Sequence, residues 1–97
     1  MKSRLTSAAA SELSDALEYY ASIDHSLAVR FLREFENTKD RLVQFPQIGN
    51  PRCDGIYRTA TIRGFPYGIA YTFSTDSTVI HGVIHYKRGP NRWQNIP

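Results

Sequence analysis

The stretch from Gly64 to Trp93, GFPYGIAYTFSTDSTVIHGVIHYKRGPNRW, leaves this chain few folds to choose from. Two runs rich in β-branched, aromatic and aliphatic residues, Tyr67 to Phe73 and Thr78 to Tyr86, are parted by the polar link Ser74-Thr75-Asp76-Ser77. That is the pattern of a two-stranded hairpin. Alternation along a strand puts Tyr67, Ile69, Tyr71 and Phe73 on one face, with the small Gly68 and Ala70 on the other. A face of four large apolar side chains must be covered, and the first half of the chain supplies the cover.

Thr6 or Ser7 can cap a helix whose apolar positions Leu13, Ala16, Leu17 and Tyr20 recur at i, i+3, i+4 and i+7, with Glu12, Asp15 and Glu18 toward water. This helix is expected to end near Ser22. Asp24 or Ser26 caps a second, with Ala28, Phe31, Leu32, Phe35, Leu42 and Phe45 as its apolar stripe through about residue 45. Helices this close in sequence form an antiparallel hairpin. Pro46 stops the second helix, and Pro46-Gln47-Ile48-Gly49-Asn50-Pro51 reads as a turn-rich connection. Tyr57 to Arg63 reads as a strand that turns through Gly64-Phe65-Pro66, and Lys2 to Leu5 as a short edge strand. The expected fold is α+β, β-α-α-β-β-β, with the helical hairpin packed on an antiparallel sheet.

The 97 residues suffice for one domain, 1–97, with a core that needs no staples. The single Cys53 has no disulfide partner and no Cys or His at zinc-ligand spacing, so a reducing cytoplasm suits it. Lys2 and Arg4 resemble a secretory n-region, yet no apolar run follows before Glu12 and Asp15. His81 and His85 would lie about 13 Å apart on a strand, too far to share one zinc, so neither metal nor cofactor is expected.

Charge is unevenly placed. Residues 1–50 carry six Lys/Arg against seven Asp/Glu; residues 51–97 carry six, Arg52, Arg58, Arg63, Lys87, Arg88 and Arg92, against only Asp54 and Asp76. A basic sheet half points to an anionic partner, either nucleic acid or an acidic protein segment. The candidate contact residues are Arg58, Arg63, His85, Lys87, Arg88, Arg92 and Trp93. Arg58 and Arg63, five apart in one strand, are expected on opposite faces. Trp93 reads either as part of the contact or as a ring folded back into the core.

In order along the chain stand Ala28-x-x-Phe31, Leu42-x-x-x-Pro46-x-x-Gly49, Gly64-Phe65-Pro66-Tyr67-x-Ile69-x-Tyr71 and His85-x-x-Arg88-x-Pro90-x-x-Trp93. With the order of elements, these resemble the RelE/ParE superfamily of type II toxin-antitoxin toxins over nearly the whole chain, the last two motifs resembling its ParE, or plasmid stabilisation, branch. The resemblance implies a toxin neutralised by a cognate antitoxin, acidic and ParD-like, in a hetero-oligomer. It leaves two chemistries open, because ParE-type members inhibit DNA gyrase by binding whereas RelE-type members cut mRNA on the ribosome.

Cleavage through the 2′-OH needs a base, an acid and a cation on the pentavalent phosphate. In the resemblance, the arginine that nuclease members carry on the strand 67–73 falls on Gly68, and a carboxylate base falls near Arg52. His85-Tyr86 repeats the His-Tyr ending of those nucleases one residue out of register, which turns the side chains to the opposite face. The reading is therefore a gyrase-binding toxin; the alternative is a ribosome-dependent endonuclease using Arg58, Arg63, Lys87 and Arg88.

Overall fold

The computed structural model describes residues 2–52 and 54–88; Cys53, Pro90, Arg92 and Trp93 lie outside the described residues. The chain runs β1 (Lys2–Leu5), α1 (Ser7–Ile23), α2 (His25–Gln44), a 3-10 turn (Pro46–Ile48), β2 (Asn50–Arg52), β3 (Tyr57–Thr61), β4 (Tyr67–Phe73) and β5 (Ser77–His85). Both expected caps form. Thr6 Oγ1 accepts from Ala9 N at 3.1 Å, and Asp24 Oδ1 accepts from Ser26 N and Oγ at 3.0 and 2.9 Å. Asp24 alone parts the helices, so the chain doubles back and stacks Tyr20 on Phe31 at 5.3 Å.

The five strands lie in the order β1-β5-β4-β3-β2. Short links make β3, β4 and β5 antiparallel neighbours as expected, and β2 adds itself antiparallel to β3. Two features depart from expectation. The sheet is mixed, because β1 pairs parallel to β5 from Lys2↔Ser77 to Leu5↔Ile80. Most of the chain separates these two strands, which is the long crossover that parallel pairing requires. The connection after α2, read as turns alone, also contributes β2, and Pro51 is tolerated there because β2 is an edge strand whose missing N–H need not meet a partner.

A bulge sets which side chains of β5 reach the core. Ala70 pairs with Gly82 and Tyr71 with Ile80, so His81 is the extra residue. Ile80 and Val83, three apart, therefore both join the helix-side core. His81 turns to the other face, 2.8 Å from Thr72 Oγ1. Beyond Leu5 the parallel partner of β5 ends, and Glu12 of α1 takes its place, its Oε1 accepting from Val83 N at 3.2 Å. The periodicity placed Glu12 toward water; the orphaned strand N–H draws it inward instead.

Phe31, Phe35, Leu42, Ile62, Ile69, Tyr71 and Ile80 are almost wholly buried in that core. Each such aliphatic or Phe side chain contributes about 1.5–3 kcal/mol by leaving water. Tyr71 has a further task. Its hydroxyl donates to Pro46 O at 2.7 Å and accepts from Gly49 N at 3.0 Å, which fastens the segment after α2 to the centre of the sheet. Gly49 is required there, since a Cβ would lie 2.5 Å from that hydroxyl and 2.8 Å from Thr59 O.

Tyr71→Phe keeps the ring and leaves a buried N–H and a C=O without their partner. Urea unfolding is expected to show a loss of about 1–3 kcal/mol, whereas Ser22→Ala, which removes only an exposed bond to Tyr19 O, should stay within about 0.5 kcal/mol.

Candidate functional site

At the Tyr67 end of β4 the turn 62–66 and the end of β5 are drawn together. Ile62 N donates to Tyr67 O at 2.9 Å, Phe65 N to Ile62 O at 3.2 Å, and Tyr86 N to Pro66 O at 3.0 Å. Gly64, at φ 83°, supplies the left-handed position that lets this turn close. Beneath lies an aromatic cluster. Phe65 meets Tyr20 at 5.0 Å and Phe31 at 4.9 Å, and Tyr67 meets Phe31 at 5.1 Å. The cluster holds both helices to the sheet at this end.

Around it gather the cations. Arg30 of α2 lies over the Phe65 ring at 5.1 Å, and Arg63 projects from the turn, exposed. His85 pairs with Tyr67 across the strands, ring edge against ring at 5.1 Å. Its Nδ1 accepts from Lys87 N at 3.0 Å and Arg88 N at 2.9 Å, closing the chain into a tight turn after β5. Arg88 then folds back. Its guanidinium stacks over Tyr19 at 4.6 Å and donates to the Tyr67 hydroxyl at 3.1 Å. Between α1 and the ends of β4 and β5 this leaves a cleft of about 320 Å³, lined by Glu12, Asp15, Tyr19, Tyr67, His85 and Arg88 among others.

The structure thus brings Arg63, His85, Lys87 and Arg88 to one end of the sheet and sends Arg58 to the other. Arg58 pairs with Tyr71, spends its Nη1 on Gln47 O and Gly49 O at 3.2 and 2.8 Å, and lies over Phe73 at 5.9 Å. Sequence reasoning separated Arg58 from Arg63 by face. The separation is instead by end, because β3 stops at Thr61 and Arg63 sits in the turn. Arg92 and Trp93 fall outside the described residues. Sequence reasoning missed Tyr19, Asp15 and Arg30, which border the same site; the available signal was Tyr19-Tyr20, a pair of which only one can face the core of a helix.

The chemistry of the group is restricted. A ring nitrogen that accepts from two backbone N–H groups carries no proton, so the His85 proton sits on Nε2 and the ring presents a donor. Burial, then the Arg88 and Lys87 charges, holds its pKa below the ordinary 6.5. Burial pushes the Tyr67 hydroxyl up, with Arg88 opposing, so it remains a phenol. Burial likewise raises Tyr20. Neither His85 nor Tyr67 is arranged to accept a proton from a substrate. Among the described residues, no three His, Cys, Asp or Glu side chains stand together as a metal ion would need, and no helix is long and apolar enough to cross a membrane.

The family described as "ParE toxin of type II toxin-antitoxin system, parDE" matches residues 4–90. The chain belongs to the ParE toxin family. Among solved structures it is similar to a chain of the "Chromosomal ParDE TA system from P. aeruginosa", with a TM-score of 0.75 and 18% sequence identity over 88% of this chain and 95% of that one. At that identity the likeness is one of fold. No curated protein matches the chain significantly. For this ParE-family toxin, the match spans every described strand and helix except the first residues of β1, and it includes the Arg63, His85, Lys87 and Arg88 end.

His85 makes a pH test available. Its folded pKa lies below the unfolded one, so its contribution to stability is complete above about 6.5 and is lost as pH falls through the folded value. Between pH 7.5 and 5, unfolding free energy is expected to fall in the parent and to fall less in His85→Gln. The Asp24 carboxyl, held below its usual 3.8 by the Ser26 N and Oγ donors, loses its contribution only at more acid pH and leaves this window clear.

Proposed function

We propose that this ParE-family toxin acts by binding, that its target is DNA gyrase in the cytoplasm, and that an acidic ParD-like antitoxin neutralises it. The observation that carries the binding reading is the state of the cations and of His85. Arg88 is spent on Tyr19 and Tyr67, His85 Nδ1 on two backbone N–H groups, and Arg58 on two carbonyls at the far end of the sheet. Phosphoryl transfer needs a cation and a proton acceptor converging on one reacting phosphate. Here Arg58 and the His85 end are separated by several residues along the strands, at roughly 3.3 Å each. Such a group is better suited to presenting charge and shape to a macromolecule than to turning over a substrate.

Arg63 and Lys87 are exposed at one end, beside an Arg88 whose guanidinium is braced by Tyr19 and Tyr67 and so is presented in a fixed place, and Arg with Tyr is a common pairing at interface anchors. The gyrase assignment rests on family membership, since ParE-type toxins are gyrase inhibitors.

Induced expression without an antitoxin is expected to arrest growth with a DNA-damage response, and the purified chain to inhibit gyrase supercoiling. Arg63→Ala, Lys87→Ala and Arg88→Ala should each weaken inhibition by about 1–2 kcal/mol, roughly 5- to 30-fold, with no one of them decisive. Ribosome-dependent loss of full-length mRNA with supercoiling intact, abolished by a single one of these substitutions in a stably folded chain, would establish the endonuclease instead.

A further inference from the structure

Arg63, Lys87 and Arg88 reach the functional end from the turn 62–66 and from the end of β5. A further cation reaches it from a helix. Arg30 of α2 is exposed, one residue before the buried Phe31, and its guanidinium lies over the Phe65 ring at 5.1 Å. Its Nη2 stands 3.4 Å from where a Cβ on Gly64 would be, in the same turn as the exposed Arg63. Arg30 thereby joins the helical hairpin to the cation surface of the sheet.

Arg30 and Arg88 share one support. Arg88 lies over Tyr19 at 4.6 Å, Tyr19 meets Tyr20 edge-on at 5.1 Å, Tyr20 meets Phe65 at 5.0 Å, and Arg30 lies over Phe65. A run of three rings carries a guanidinium at each end, and its middle ring is buried and stacked on Phe31. Stacking on a ring holds a guanidinium in place without using up its N–H groups. Among the described residues neither arginine forms an ion pair, and Arg88 gives Tyr67 only one of the five N–H groups of a guanidinium. Arg58, by contrast, is bonded to two carbonyls at the far end of the sheet. Ordering a free arginine subtracts from the affinity it brings to an interface; these two are ordered beforehand.

Resting on the target-binding reading above, we propose that Arg30 is a further target-contact residue, that it and Arg88 grip carboxylates on an acidic protein surface of the target, and that Tyr19 is the positioning residue for Arg88. A protein surface fits this end better than a nucleic-acid backbone. Glu12 and Asp15 of α1 line the cleft that Arg88 borders, and α1 carries no Lys or Arg from Ser7 to Ile23. An unbroken row of phosphates would lie against those carboxylates, whereas carboxylates set singly on a protein need not. Val29, next to Arg30 in sequence, and Tyr19, beneath Arg88, are 50% and 44% exposed and offer apolar surface that a protein can cover.

The test uses the full chain and gyrase holoenzyme in a supercoiling assay, with thermal unfolding as the control for each variant. Arg30→Ala is expected to weaken inhibition about 5- to 30-fold, and its loss to multiply with that of Arg88→Ala, since the two guanidiniums stand at separate ends of the ring run. Tyr19→Leu should lose most of what Arg88→Ala loses and add little to it in the double variant. Tyr19→Phe, which keeps the ring, should recover most of that loss. A stably folded Arg30→Ala that inhibits like the parent overturns the contact. A Tyr19→Leu loss that multiplies with Arg88→Ala, or that Tyr19→Phe does not recover, overturns the positioning role. Binding of the chain to linear duplex DNA without gyrase, weakened by Arg30→Ala, overturns the protein partner in favour of nucleic acid. A parent chain that leaves supercoiling intact is a separate failure: it overturns the gyrase reading itself, and this contact surface with it.

Discussion

One buried hydroxyl organises more of this molecule than any other polar group. Tyr71 sits at the centre of β4 with its ring wholly inside the core, and its hydroxyl joins a carbonyl and an N–H of the segment that leaves α2. Burial raises its pKa, the Gly49 N–H opposing, so the group persists as a neutral donor and acceptor. That pair of bonds decides where residues 46–49 lie. Their position allows β2 to pair with β3 and turns the Arg58 guanidinium toward two carbonyls instead of toward solvent. It also keeps Phe45 and Ile48 on the surface. A tyrosine in a core is usually explained by its ring; this one equally supplies the address of a loop.

The parts of the fold legible in the sequence are those governed by local period. The caps at Thr6 and Asp24, the alternation of Tyr67, Ile69 and Tyr71, and most of the apolar stripes of α1 and α2 are each decided within a few residues and stand where the pattern placed them, whereas Leu32 and Phe45, read into the α2 stripe, are exposed. What was not legible depends on partners far along the chain. Nothing in Lys2–Leu5 specifies a parallel neighbour, since that partner begins at Ser77. The bulge at His81 brings Ile80 and Val83 to one face against strict alternation, and only the pairing with Ala70 and Tyr71 reveals it.

The candidate site divides in the same way. His85, Lys87 and Arg88 could be named from the cations that end the last strand. That Arg88 would lie on Tyr19, and that Glu12 would serve a strand N–H, involves contacts some seventy residues apart, which no spacing rule reaches. Arg58 was grouped with them on charge alone. Its real neighbours are set by strand register, and register is a property of the sheet as a whole.

The separation of the two ends follows from the economy of a five-stranded sheet with helices on one face. The helical hairpin covers Tyr67, Ile69 and Tyr71, but Phe73 lies where α2 has already ended, and the Tyr67 end is closed by aromatic packing of Tyr20, Phe31 and Phe65. One end is thereby rigid, aromatic beneath and cationic above. The other is apolar at its surface and hydrogen-bonded beneath. Cations exposed to water attract over distance and steer an encounter, yet exposed pairs contribute little lasting affinity once salt screens them. Desolvated apolar anchors do the reverse, slowing release without directing approach. The two kinds of surface stand at the two ends of β4, where neither has to compromise the other.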